Sequence, residues 1–265
     1  MPFAEVRDLE IYHELHGAGP PVLDIGGTGG DLRVSLPDRS PLNRHFRVLS
    51  YDQRGLGRTS KPDGEHTMAD YAEDAAALVA AVGWERCHVV GTSFGGMVAL
   101  NLVLAHPDLV DRLVLCCTSP GGPAPSYPLH ELQEMSAEVA FPIRMRLMDR
   151  RWDPASSEPI PGLGPFYDAV VANARQRPSG EAAAGLARQL AARAGHDVAS
   201  RLGEIEQDTL VCAGRYDDLA PLANSQLLAR GLPHAELQVF EGGHVFMLQD
   251  RSAFPTIIDF LTGPR

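Results

Sequence analysis

Several large classes of protein are excluded by what this chain has little of. Only four of its 265 residues are cysteine, at positions 87, 116, 117 and 212, and all four lie inside apolar runs. Cys116 and Cys117 are neighbours, so in a strand they face opposite sides and are poorly placed to bond to each other. A disulfide scaffold is therefore not expected; reduced core thiols in a cytoplasmic protein are. No apolar stretch approaches the roughly 18 residues of a membrane span. The opening "MPFAEVRDLEIYHELHG" has neither a basic start nor an apolar run, so no secretory signal is visible and the expected location is cytoplasmic. Basic charge is scarce too: 23 Lys and Arg stand against 34 Asp and Glu, a net charge of −11. That balance argues against nucleic acid or an anionic membrane as a partner. It does not forbid an anionic ligand, because a pocket can oppose the global sign. The histidines and cysteines lack metal-ligand spacing, and "HELH" at 13–16 is not H-E-x-x-H, so no metal is expected. The glycine loop "GGTGGD" at 26–31 lacks G-x-G-x-x-G and is followed by no P-loop lysine, which argues against a nucleotide; no cofactor is expected.

What is present is alternation. Short apolar runs ending in turn residues recur at 21–27, 46–52, 87–93, 112–119, 208–214 and 235–243. Runs of this kind read as buried parallel strands. Between them lie helical patterns. In 67–82 the residues Tyr71, Ala75, Leu78, Val79 and Val82 follow helical spacing, and Thr67 with Asp70 forms a capping box. The segment 95–105 is apolar nearly all round and stops before Pro107, as a buried helix would. Strand alternating with helix predicts an α/β fold with a mostly parallel central sheet covered on both faces. From 120 to 200 the rhythm breaks. Nine prolines crowd into 120–165, followed or accompanied by helical patterns only, such as 129–139 and 182–194. The expected organisation is a core of 1–119 and 201–265, with a helical cap over 120–200 inserted after the strand near 112–119.

At 91–96 the chain reads "GTSFGG", a serine between glycines after a strand and before an apolar helix. G-x-S-x-G alone is weak, but this setting places Ser93 on a strained strand-to-helix turn, with the helix N-terminus favouring negative charge. Gly91 and Gly95 leave room where side chains would collide. A serine nucleophile needs a base and an orienting acid. Of ten histidines, His244 stands out, after "FEGG" at the end of the last strand run. Asp217 in "GRYDDLAP" lies at another strand end, with Asp218 as its competitor. The order Ser93, Asp217, His244 is the one this kind of sheet requires. The expected oxyanion donors are the N–H groups of Phe94 and of Thr28, in the loop after the first central strand.

Taken together, "GGTGGD", "YDQRGLGRTS", "GTSFGG", "GRYDDLAP" and "EGGHVF" resemble the motifs of α/β-hydrolase-fold serine hydrolases with a helical cap, over nearly the whole chain. Within that superfamily the pattern resembles the small bacterial branch of 3-oxoadipate enol-lactonases and carboxylesterases. One departure is visible: Gly26-Gly27 stands where the family usually has His-Gly, which bears on loop rigidity and the shape of the acyl side. The resemblance implies that Asp52, Arg54 and Gly57 shape a loop beside the oxyanion strand, with Arg54 structural. Expected substrate contacts are Gly27, Tyr127, Trp152, Arg146 and Val245. Arg146 and Arg150 would share a helical face at i, i+4, either clamping a substrate carboxylate or facing solvent. His196, closing the cap, is expected at the cap–core interface. The implied activity is cofactor-free hydrolysis of a small ester or lactone through an acyl-enzyme. The rivals are carbon–carbon cleavage of a vinylogous diketone and ligand trapping without turnover. Monomer and homodimer both remain open.

Overall fold

Residues 2–263 are described by the computed structural model. Its strands are β1 (Phe3–Val6), β2 (Leu9–His16), β3 (Pro21–Ile25), β4 (Arg47–Tyr51), β5 (Cys87–Thr92), β6 (Val110–Cys116), β7 (Thr209–Gly214) and β8 (Ala235–Phe240). They form one sheet in the order β1-β2-β4-β3-β5-β6-β7-β8. From β4 to β8 neighbouring strands are parallel. The central strands are continuous apolar runs because both faces are covered: Val89 of β5 packs into one core and its neighbour Val90 into the other. The antiparallel β1–β2 hairpin was not among the expected strands. It belongs to the other kind of strand, half-buried, with Leu9, Ile11 and His13 turned inward between more exposed neighbours.

The helices are α1 (Leu32–Ser35), α2 (Met68–Ala81), α3 (Phe94–Ala105), α4 (Glu131–Glu134), α5 (Ala137–Met148), α6 (Tyr167–Arg175), α7 (Gly180–Ala194), α8 (Leu222–Gly231), α9 (Phe246–Gln249) and α10 (Ala253–Thr262). α2, α3 and α8 cover one face of the sheet, α9 and α10 the other. α2 starts at the expected box: the Asp70 N–H donates to Thr67 Oγ1 at 3.2 Å, and the Thr67 N–H donates back to Asp70 Oδ2 at 3.0 Å. The four cysteines are buried and unbridged. No helix among the described residues is long and apolar enough to cross a membrane.

Between β6 and β7 the described residues add helices and no strand to the sheet. The helix expected over 129–139 is broken in two. Met135 turns extended (ψ 154°), and Ser136 starts α5 by accepting from the Val139 N–H. This segment has a small core of its own, with Met145, Trp152, Ile160 and Leu163 at its centre. α7 leaves that cluster and lies directly on the sheet's loops. A Cβ at Gly185 would overlap the Gly55 carbonyl, so the two backbones touch.

Candidate active site

Ser93 sits at the tip of β5 with φ +57° and ψ −116°, a backbone state costly for a residue with a Cβ. The surroundings hold it there. Its N–H donates to the Cys116 carbonyl at 2.8 Å, and its carbonyl accepts from Thr118 Oγ1 at 2.7 Å. The turn is tight enough that a Cβ at Gly91 would lie 2.6 Å from the Gly95 carbonyl, and one at Gly95 would overlap the Ile25 carbonyl. The glycines flanking the serine are thus required by space.

Two other strand ends bring in the partners. Asp217, after β7, is 1% exposed and accepts at Oδ1 from the Leu219 and Ala220 N–H groups at 2.8 and 2.9 Å. Its Oδ2 lies 2.7 Å from His244 Nδ1, and His244 Nε2 lies 3.0 Å from Ser93 Oγ. A carboxylate only accepts, so Nδ1 carries the proton and Nε2 is left as the acceptor for the serine hydroxyl. Asp218 turns away to solvent and pairs with Arg150 at 3.2 Å. Behind the pair lies Cys117, another residue with positive φ (+43°), within 4.8 Å of both the Asp217 carboxylate and the His244 ring. By spacing alone the three could hold an ion. Burial pushes the Cys117 thiol well up, however, so it stays protonated, and the Asp217–His244 hydrogen bond already occupies the other two.

The glycine loop after β3 passes beside the serine: a Cβ at Gly27 would lie 3.4 Å from Ser93 Cβ and 4.0 Å from its Oγ. Among the described residues neither the Thr28 N–H nor the Phe94 N–H has an acceptor, and Thr28 Oγ1 is buried without a partner. The loop is held from three sides. Gln53 Nε2 donates to the Gly26 carbonyl at 2.7 Å, Asp52 Oδ1 accepts from the Leu32 N–H at 2.8 Å, and Gln189 Oε1 of α7 accepts from the Gly29 N–H at 2.8 Å. A side chain at Gly26 would meet open space, so its absence leaves no gap in the packing. Gly57 sits where a Cβ would overlap the Asp52 carboxylate, and its φ of +50° suits glycine. Arg54, 5% exposed, spends its guanidinium on Asp74 (2.8 and 2.9 Å) and on Asp8 (2.9 Å), which is the structural role expected of it.

The expected substrate contacts fare unevenly. Gly27 is beside the serine. Val245, next to His244, packs against the small core of the helical segment. Tyr127 is half-buried, and its N–H donates to the Leu219 carbonyl at 2.8 Å. Trp152 is 8% exposed and built into that small core, with Nε1 donating to the Tyr167 hydroxyl at 3.4 Å, so it is a packing residue first. Arg146 is exposed and has no ion pair among the described residues. The shared helical face of Arg146 and Arg150 does not exist. α5 ends at Met148, Asp149 is extended (φ −153°, ψ 114°), and Arg150 turns to the Arg215 carbonyl and Asp218. His196 is buried at the junction, as expected, with Nε2 donating to the Ser119 carbonyl at 3.1 Å.

Residues invisible in the sequence complete the site's frame. The end of α5 threads between the acid loop and the histidine loop. The Leu147 carbonyl accepts from the Asp218 and Leu219 N–H groups, and the Met148 carbonyl accepts from the His244 N–H at 2.6 Å. Asp149, fully buried, binds Arg151 and accepts from Gln249 Nε2 at 2.8 Å, while Gln249 Oε1 accepts from the Gly243 N–H at 2.8 Å. Nothing in the local pattern of Asp149, Gln249 or Gln189 marks them, since the contacts that bind them into this frame, Gln249 to Asp149 and Gln189 to Gly29, span 100 and 160 residues.

Comparison with known proteins agrees with this architecture. A putative carbamate hydrolase, RutD, of Agrobacterium fabrum is 31% identical over 268 residues, covering 95% of this chain and 98% of the relative. The crystal structure of the enol-lactonase from Burkholderia xenovorans LB400 superposes with a TM-score of 0.82 at 25% identity, covering 99% of this chain and all of the other. A hydrolase from Pseudomonas aeruginosa PA01 gives 0.76 at 29% identity, over 98% of each chain. The family model of the alpha/beta hydrolase fold matches residues 20–250, from the first central strand past the histidine loop. With that match, and an eight-stranded sheet that delivers a serine, an aspartate and a histidine from three strand ends to one place, the chain belongs to the α/β-hydrolase fold family.

Proposed function

We propose that this protein is a serine hydrolase that cleaves an acyl bond to oxygen or nitrogen, with small esters and lactones as its substrate class. The observation that carries the reading is the connected line Ser93 Oγ, His244 Nε2, His244 Nδ1, Asp217 Oδ2, with links of 3.0 and 2.7 Å. His244 takes the serine proton as Oγ attacks the carbonyl carbon, and Asp217 holds the ring in the tautomer that makes this possible and stabilises its charged form. The unengaged N–H groups of Phe94 and Thr28 are the oxyanion donors in this reading, at the N-terminus of α3 where developing negative charge is favoured. The protonated His244 then gives its proton to the leaving oxygen or nitrogen. Water, deprotonated by His244, attacks the acyl-serine and regenerates Ser93. For a lactone the leaving oxygen is tethered, so one open-chain acid is the product. Residues 120–200 serve as the cap, and the threading of α5 between the acid and histidine loops ties that cap to the reacting groups.

The relatives' names widen the panel: an enol-lactonase opens a ring ester, and a carbamate hydrolase acts on a carbonyl bearing nitrogen and oxygen. All of these share the step at Ser93. The test is turnover of a short-chain p-nitrophenyl ester, followed by a lactone, a carbamate and a vinylogous diketone, by wild type and Ser93→Ala. Mass spectrometry of the wild type should find the acyl group on Ser93. Turnover that survives unchanged in Ser93→Ala refutes the mechanism. Ligand retention without turnover across the whole panel would favour a binding protein.

A further inference from the structure

His244 rides on a loop that the sheet alone does not hold. β8 ends at Phe240, four residues earlier. On one side the Gly243 carbonyl presses on the end of β7, where a Cβ at Gly214 would overlap it. On the other side a Cβ at Gly243 would overlap the Met148 carbonyl and lie 2.8 Å from Asp149 Cβ. The two N–H groups nearest the imidazole both find acceptors away from the sheet. The His244 N–H donates to the Met148 carbonyl at 2.6 Å, and the Gly243 N–H donates to Gln249 Oε1 at 2.8 Å.

Gln249, the last residue of α9, passes that grip on to the helical segment. Its Nε2 donates to Asp149 Oδ2 at 2.8 Å and to the Pro161 carbonyl at 2.9 Å. The amide can sit only one way round. Turned over, its NH2 would face the Gly243 N–H and its oxygen would face a carboxylate. Asp149 is fully buried and is itself aimed: Oδ1 accepts from the Arg151 N–H and Nε at 3.0 and 2.9 Å, and Oδ2 accepts from Nη2 at 2.7 Å. Arg151 thus meets the charge, so the bond to Gln249 adds direction rather than neutralisation. A buried polar network satisfied in this way specifies one arrangement. The chemistry needs that arrangement, because His244 Nε2 must stay within reach of Ser93 Oγ, at 3.0 Å. A remote change that displaces a reacting group by about 1 Å can cost about 100-fold in rate.

We infer that Gln249 and Asp149 are positioning residues for His244, and that through them the place of the base depends on the docked end of α5. The effect on rate rests on the hydrolase reading; the placement of the ring does not. Three variants test the pair. Asp149→Asn sets an amide NH2 against the Gln249 NH2, and Gln249→Glu sets a carboxylate against the Asp149 carboxylate. The double variant exchanges the two groups and pairs donor with acceptor again. Hydrolysis of p-nitrophenyl butyrate is measured well below the unfolding temperature of each protein. Each single variant should lose about 10- to 100-fold in kcat. KM should stay within about twofold of wild type, because the base acts on the transition state. The double variant should recover most of the loss. A second readout needs no substrate. The proton on His244 Nδ1, held in the bond to buried Asp217, gives a far-downfield proton NMR resonance. It should move or broaden in both single variants and return in the double variant. A merely structural pair would lower Tm and leave both kcat and the resonance of the folded protein unchanged.

A kcat within about twofold of wild type in both single variants overturns the inference, and so does an unchanged resonance. A double variant whose loss is the product of the two single losses shows no coupling and overturns the pair. If Gln249→Glu does not fold, Asp149→Asn decides by kcat and resonance alone. A wild type that turns over no ester refutes the hydrolase reading, and the resonance then decides by itself whether this pair places the ring.

Discussion

Gln189 offers the sharpest test of how the helical segment supports the chemistry. Its side chain is fully buried, yet its Oε1 reaches the Gly29 N–H, 160 residues away, at 2.8 Å. Gly29 follows Thr28, whose N–H is one of the two proposed oxyanion donors. In Gln189→Leu the Gly29 N–H loses its acceptor and the weak 3.5 Å contact with Gln53 Oε1 disappears. The stability cost should be small. Gly29 is exposed, so water replaces the lost acceptor, and leucine fills the buried volume. A neutral hydrogen bond contributes about 1 kcal/mol net, which in a chain of this length moves Tm by only about 2 °C. The catalytic cost should be larger. Losing an oxyanion donor outright costs about 3 kcal/mol of barrier. Gln53 and Asp52 still hold the loop's two ends, so a loosened donor should cost about half of that, roughly a tenfold fall in rate. Because oxyanion contacts strengthen in the transition state, the loss should appear in kcat with KM nearly unchanged. The assay is steady-state ester hydrolysis beside thermal unfolding of the same preparations. A kcat within twofold of wild type, or a loss confined to KM, refutes the claim that α7 positions this loop.

Two stability predictions follow from the charges beneath the site. Asp74→Ala leaves the buried Arg54 with only the half-exposed Asp8 and should cost about 3–5 kcal/mol, whereas Asp8→Ala should cost about 1 kcal/mol or less; urea unfolding of both variants decides, and equal losses would refute the reading. Asp24, next to last in β3, has its carboxyl pushed up to about 6 by burial, partly offset by Ser50. Its folded-state pKa lies above the unfolded value near 3.9. The folded protein therefore binds the extra proton, and the stabilisation this brings is complete below about pH 4 and lost as pH rises through 6. Asp24→Asn should accordingly be more stable than wild type at pH 7.5, by about 1–3 kcal/mol, and nearly equal to it at pH 4; a gain at pH 4 as large as that at pH 7.5 would contradict the assignment.

How much of this was legible varies by residue. The elbow around Ser93 could be read because its constraint is local: Gly91 and Gly95 are the residues without which the turn would clash. The strand ends bearing Asp217 and His244 could be read because apolar runs followed by turn residues mark where a buried strand surfaces. The hairpin β1–β2 lies outside the fully apolar runs that mark buried strands, because a half-buried strand alternates instead. The break at Ser136 is not legible locally, because its capping role competes with a helical pattern that continues on both sides.

The substrate-facing positions depend most on tertiary packing, and Arg146 shows why. Whether Arg146 and Arg150 share a face depends on where α5 stops, and it stops at Met148 because the chain must then thread between two loops that arrive from β7 and β8. The sequence by itself determined the alternation of strand and helix, the place of the nucleophile turn and the order of the three reacting residues, all consequences of short-range sterics and of periodic burial. Only the tertiary structure decided that Asp218 turns out to Arg150, that Gln189 holds the Gly29 N–H, and that Arg193 is buried with no carboxylate partner among the described residues. A polar side chain's partner is set by the direction in which its element is docked, and residues many tens of positions apart carry no local trace of that direction.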